Sequence, residues 1–226
     1  MFDAVIFDCD GVLIDSEALS LDLEIAFLKA RGLNYDRMDF AQRFIGADSR
    51  RMRSEIAEDH LRLHGQPIPE SLFDEMISAR NNLFLKELKA IGQAVNSLTA
   101  WTGAKAVASS SRAAFLKINL TQTGLADLIY PHVYSAEEVA RGKPAPDVFL
   151  HAAKNIGVAP QKCLVIEDSI NGVKAARSAE MQVWGFLGGG HVWPELRQQL
   201  FDAGAHDIVE NHNQLTARLA ELDAQR

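Results

Sequence analysis

Asp3-Ala4-Val5-Ile6-Phe7-Asp8-Cys9-Asp10-Gly11 runs from an unbroken apolar stretch directly into two acids and a glycine. A strand that is apolar at successive positions is covered on both faces, the condition of a central strand in a parallel sheet. Three further runs read the same way: Lys105 to Ala108, Cys163 to Ile166 and Gln182 to Phe186, with His206 to Val209 as a weak edge strand. Between them lie helical patterns over Arg112–Leu120, Pro146–Ile156, Ser169–Ala179 and Asn211–Leu222, opened by Pro146 and by Ser169 as an N-cap. Strand and helix in alternation predict βα units and a doubly wound, Rossmann-like parallel sheet, an α/β core.

One interval breaks the rhythm. From Glu17 to Leu88 there is no convincing strand, only amphipathic stretches over 18–30, 49–63 and 71–88, the last two separated by the turn Gly65-Gln66-Pro67-Ile68-Pro69. Because it falls between the first and second strands, this interval is expected to be a helical cap, residues 17–88, inserted into a core made of residues 1–16 and 89–226. Joints near Ser16 and Leu88 are then expected to hinge.

Composition narrows the functions available. The 226 residues carry 23 basic and 30 acidic side chains, a net charge of −7, so no broad basic field is expected to hold a nucleic acid. Two cysteines are too few for a disulfide framework, and a reducing interior follows as the expectation. Residues 1–10 have no basic leader, and no apolar run approaches the roughly 20 residues of a membrane span. A soluble, monomeric cytoplasmic protein is expected.

The chemistry should sit at the carboxyl ends of the strands, where open parallel sheets bind ligands. Asp8 stands at the first such end and Asp10 two residues beyond; alone, the pair reads equally well as a strand end and turn. After the second strand comes Ser109-Ser110-Ser111, whose hydroxyls and N–H groups suit a phosphate as well as a helix cap. Gly142-Lys143-Pro144-Ala145-Pro146 places a lysine in a proline-stiffened loop, the cation an acidic site needs. Glu167-Asp168-Ser169 ends the strand that begins at Cys163. Acids from two strand ends, all oxygen donors, describe a hard-cation site, for which Mg²⁺ fits better than zinc. Each segment alone has an ordinary structural explanation; four in chain order at strand ends do not.

Asp-x-Asp-Gly-Val, then Ser, then Gly-Lys-Pro-x-Pro, then Glu-Asp-Ser resembles the haloacid dehalogenase superfamily, in particular its β-phosphoglucomutase and sugar-phosphatase branch, over residues 1 to about 188. The resemblance implies that Asp8 is a nucleophile forming an aspartyl-phosphate. It makes Asp10 the general acid and base, with its carbonyl offered to Mg²⁺. Ser109 and the N–H of Ser110 would hold the phosphoryl group, and Lys143 would neutralise charge. Asp8, Asp168 and Glu167 would ligate Mg²⁺, Glu167 directly or through water.

The expected activity is a Mg²⁺-dependent phosphatase acting on a small sugar or sugar-acid phosphate. The alternatives are a phosphoglucomutase-like mutase and a catalytically silent binding module. The mutases of this branch carry a histidine early in the first cap helix, which Glu17-Ala18-Leu19-Ser20-Leu21 lacks, so hydrolysis is preferred. Arg50 and Arg51, beside the loop Gly46-Ala47-Asp48-Ser49, are candidates for pairing with a second anionic group of the substrate. Packing roles are expected for Cys9, Cys163, Trp101, Trp184 and Trp193. Gly188-Gly189-Gly190 is expected to be a flexible connection, His60 and His64 solvated, and His151 without a partner.

Overall fold

The computed structural model describes residues 1–45 and 49–226, and only the backbone of Ser49. The loop residues Gly46, Ala47 and Asp48 singled out above lie outside the described residues. Strand β1 (Ala4–Phe7) is followed by helices α1 (Ser16–Lys29), α2 (Arg37–Phe44), α3 (Ser49–His64), α4 (Ser71–Glu87) and α5 (Ala94–Ala100). Then come β2 (Ala104–Ser109), α6 (Ala113–Gln122), α7 (Ala126–Ile129), β3 (Val133–Ser135), α8 (Asp147–Asn155) and β4 (Cys163–Glu167). The chain closes through α9 (Ile170–Ser178), β5 (Gln182–Phe186), α10 (Leu196–Asp202), β6 (Asp207–Val209) and α11 (His212–Asp223).

The strands form one parallel sheet in the order β3-β2-β1-β4-β5-β6, with β6 at the edge. This is the doubly wound order, and it puts the switch in winding direction beside β1. Every residue of β1 is buried. Alternate residues serve opposite faces. Val5 and Phe7 pack with Leu98, Trp101, Leu116 and Leu215, while Ala4 and Ile6 pack with Phe149, Val173 and Leu196. Trp101, Trp184 and Trp193 are all buried, as expected of packing residues.

Five short elements escape a periodicity reading for lack of length: α2, α5, α7, β3 and α10. β3 has only three residues and pairs with β2 through Val133, Tyr134 and Ser135. α2 has eight, but it is well begun: the Asp36 carboxylate accepts hydrogen bonds from the N–H groups of Met38 (2.8 Å) and Asp39 (3.3 Å). Its buried residues Phe40 and Phe44 meet Tyr35 edge-on, with ring centroids 5.3 and 6.0 Å away, and lie 4.7 Å from each other. Arg43 lies over the Phe44 ring and binds Glu55 and Asp59 on α3, so a cation and three rings tie α2 to α3.

The chain leaves the sheet and returns to it side by side. The N–H of Asp15 donates to Lys89 O at 3.2 Å and that of Ile91 to Leu13 O at 2.9 Å, around an antiparallel bridge between Ile14 and Ala90. Helices α1 and α4 start and finish at this bridge and pack on one another.

Buried Glu24 on α1 lies 3.5 Å from Arg80 on α4. Burial pushes its carboxyl from an ordinary 4.5 up to about 7, with Arg80 pulling the other way. Between these values the folded chain holds a proton that the unfolded chain has released, so this group's contribution to stability falls as pH rises. Thermal unfolding followed from pH 5 to 7.5 should therefore show a shallower loss of midpoint in Glu24→Gln than in the parent. Equal slopes would mean Glu24 titrates as an ordinary carboxyl.

Candidate active site

The sheet register brings the sequence candidates level. Phe7 is paired with Val107 on one side and Ile166 on the other, so Asp8 follows Phe7 just as Glu167 follows Ile166, and Ser109 ends β2 beside them. The N–H of Asp8 donates to Ile166 O at 2.9 Å, extending the ladder one residue beyond β1. Asp8, Glu167 and Asp168 are all buried and offer oxygens within 4.8 Å of one another.

Lys143 holds this group together. Its Nζ donates to Asp8 Oδ1 at 2.5 Å and to Glu167 Oε2 at 2.8 Å, and its side chain is 5% exposed. Burial alone would strip the ammonium of its proton, but Asp8 and Glu167 outweigh it and hold Lys143 above an ordinary lysine. Burial likewise lifts Asp8 well above the usual carboxylate range against the pull of Lys143, and lifts Asp168 with help from Glu167.

One ammonium faces three carboxyl groups, so acid is in excess, and the three atoms that converge within 4.8 Å are all carboxylate oxygens. That donor set and charge fit a hard divalent cation such as Mg²⁺. The lack of a side chain at Gly11 makes room for the Asp168 carboxylate: a Cβ there, where φ is +75°, would lie 1.9 Å from Asp168 Oδ2.

Asp10 is supported separately. Its Oδ1 accepts a hydrogen bond from Ser16 Oγ at 2.6 Å, and its Oδ2 accepts from Ser109 Oγ at 3.1 Å and Ser111 Oγ at 2.6 Å. The serine run after β2 is therefore not a helix cap; α6 begins only at Ala113, and the hydroxyls turn inward. Ser110 is exposed. Glu167 Oε1 accepts from the N–H groups of Asp168 (3.1 Å) and Ser169 (3.0 Å) and from Ser169 Oγ (2.8 Å), while Ser169 Oγ caps α9 by accepting from Gly172 N–H.

The structure thus brings together Asp8, Asp10, Ser109, Lys143, Glu167 and Asp168. Arg51 instead pairs with Glu55 one turn along α3 at 2.7 Å and is well exposed, and Arg50 lies exposed beside it. Three residues not singled out as site residues above join the group: Ser16, Ser111 and His191, whose Nε2 lies 3.0 Å from Asp168 Oδ2. Ser111 sits inside the serine run already quoted and Ser16 at the joint into the cap, whereas nothing in the spacing of His191 announces it. His151 has a neighbour after all, Glu138 at 3.4 Å.

The sheet is a doubly wound α/β fold with acids at the ends of β1 and β4 and a lysine between them, and the family model for haloacid dehalogenase-like hydrolases matches residues 2–180. The chain belongs to that family. Among curated relatives it is 26% identical to 6-phosphogluconate phosphatase of Escherichia coli K12, over 85% of this chain and 86% of that one. It is 30% identical to fructose-1-phosphate phosphatase of the same organism, over 80% and 94%. Among solved structures, a haloacid dehalogenase family hydrolase from Deinococcus radiodurans R1, with bound phosphate and sodium, superposes with a TM-score of 0.83 at 33% identity, covering 97% and 96%.

Gly172 is needed for the geometry around Glu167, since a Cβ there would fall 1.9 Å from the Glu167 carboxyl. Gly172→Ala should lower unfolding free energy by about 1–3 kcal/mol in urea titrations. Gly92→Ala, where an added Cβ meets nothing within 4 Å, serves as the unaffected comparison. Equal midpoints for the two variants would show that Glu167 can move aside freely.

Proposed function

We propose that the chain is a Mg²⁺-dependent phosphatase that hydrolyses a small sugar or sugar-acid phosphate through an aspartyl-phosphate on Asp8. The observation that carries this reading is the Lys143–Asp8 contact at 2.5 Å, with Asp10 two residues away and the remaining carboxylates at the same carboxyl end of the sheet. The phosphatase names of the curated relatives, and the phosphate bound by the Deinococcus protein, support a phosphoryl group as the substrate moiety.

In the first step an Asp8 oxygen forms a bond to phosphorus as the bond to the leaving oxygen breaks, and the Asp10 carboxyl gives that oxygen a proton. In the second, water attacks phosphorus, the Asp8–phosphoryl bond breaks, and Asp10 takes the water's proton. The hydroxyls of Ser16, Ser109 and Ser111 can each donate or accept, so they hold Asp10 in both protonation states. Lys143 keeps the Asp8 oxygen aimed and offsets charge gathering on the phosphoryl group. Ser109 and the Ser110 N–H would receive that group. Asp8, Asp168, Glu167 and the Asp10 carbonyl would hold Mg²⁺, which supplies Lewis-acid stabilisation of the phosphoryl oxygens when bound.

Residues 17–88 act as the cap, closing over substrate on the paired crossings at Asp15 and Lys89. Arg50 and Arg51 lie in this segment and are the candidates for a second anionic group of the substrate.

Phosphate release with Mg²⁺ across a panel of sugar and sugar-acid phosphates should proceed with the parent and fall at least about 10³-fold in Asp8→Asn, which removes the nucleophile. Release that survives this change would put the nucleophile elsewhere. Turnover of hexose 1-phosphate to 6-phosphate without release would instead make the chain a mutase.

A further inference from the structure

His191 is fully enclosed, and neither ring nitrogen makes a well-formed hydrogen bond. The other buried histidine, His212, shows the usual arrangement: its nitrogens meet Ser97 Oγ at 2.8 Å and Val12 O at 2.7 Å. An imidazole buried without such partners loses its hydration and gains nothing in return, so its position calls for a reason. Its Nε2 lies 3.0 Å from Asp168 Oδ2, off the line of a good hydrogen bond.

The surroundings are built to keep the ring there. A Cβ on Gly11 would come within 2.7 Å of His191 Cε1, and one on Gly189 within 2.7 Å of Cε1 and Nδ1. Gly188-Gly189-Gly190 is thus a fitted strap, contrary to the flexible connection read from its composition. The Gly190 N–H donates to Asp15 Oδ1 at 3.0 Å, and the Gly190 carbonyl accepts from Arg37 Nη2 on α2 at 3.3 Å. Asp168 also lacks what its neighbours have. Lys143 donates to Asp8 and Glu167, and the nitrogen that reaches Asp168 is His191 Nε2.

We infer that His191 is a positioning residue: its Nε2, 3.0 Å from Asp168 Oδ2, braces that carboxylate in the orientation that ligates the divalent cation. The inference rests on the metal reading given above. A carboxylate ligand free to swing binds a cation less well than one fixed by a donor behind it, and loss of such a donor typically weakens metal binding about 10–100-fold.

Isothermal titration of Mg²⁺ into the full chain tests this, with no substrate present. His191→Ala should weaken binding by about 10–100-fold. His191→Gln, whose amide nitrogen can stand where Nε2 stood, should restore most of it, and His191→Asn, whose amide stands at the Nδ1 position, should not. Thermal unfolding in chelator identifies which variants are folded; should the alanine variant fail, the Gln–Asn comparison carries the test. Binding in His191→Ala equal to the parent, or Gln and Asn behaving alike, would overturn the positioning role while leaving the metal reading intact. A parent that binds no Mg²⁺, or binds it equally well in Asp168→Asn, would overturn both.

Discussion

Three carboxylates confined within 4.8 Å of one another in a buried pocket are a standing electrostatic cost, and the Lys143 ammonium is the protein's internal answer to it. Removing one partner from such a cluster leaves buried charge unopposed, which makes the arrangement unforgiving. Much of the core is arranged around meeting that cost. The parallel register sets Asp8 beside Glu167, and the proline-flanked loop before α8 brings Lys143 to both from another segment of chain. A single ammonium answers part of the charge, and the excess is what would make the pocket receptive to a divalent cation.

Around this cluster the supporting interactions are divided cleanly. Glu167 is fixed by main-chain N–H groups and by Ser169, donors that cannot leave because they also begin α9. Asp10 is held by three serine hydroxyls, donors that can reverse their role. A group that only anchors charge is thereby rigidly bound, and one that would pass protons is held by rotatable partners. Glycines do the remaining work by omission. At Gly11 and Gly172 the space a methyl group would fill is taken by carboxylates.

The fold was legible because its strands obey a local rule. β1, β4 and β5 are apolar at nearly every position and stand apart from the helices that cover them. β3 was not, since three residues between Pro131 and a capped turn at Ser135 leave no period to detect. Asp8, Asp10, Lys143, Glu167 and Asp168 were legible as strand-end acids and a stiffened lysine, a pattern carried by neighbours in sequence. His191 was not, because its importance lies in a contact with a residue 23 positions earlier and in the close approach of Gly11 from a distant turn. Ser16 and Ser111 fall between these cases: their positions were in view, but which way a hydroxyl turns is decided only by packing.

The paired crossings at Asp15–Lys89 and Leu13–Ile91 carry a consequence for how such a chain can change over time. Because the outgoing and returning segments are already bonded to each other, the core sees the intervening helices as a closed loop whose ends are fixed side by side. Lengthening or exchanging that loop adds only slowly to the entropy of closing it. The helices between can therefore change in number or length while the two ends that enter the sheet stay pinned side by side, so the loop's length is a cheap variable and its closure a fixed one.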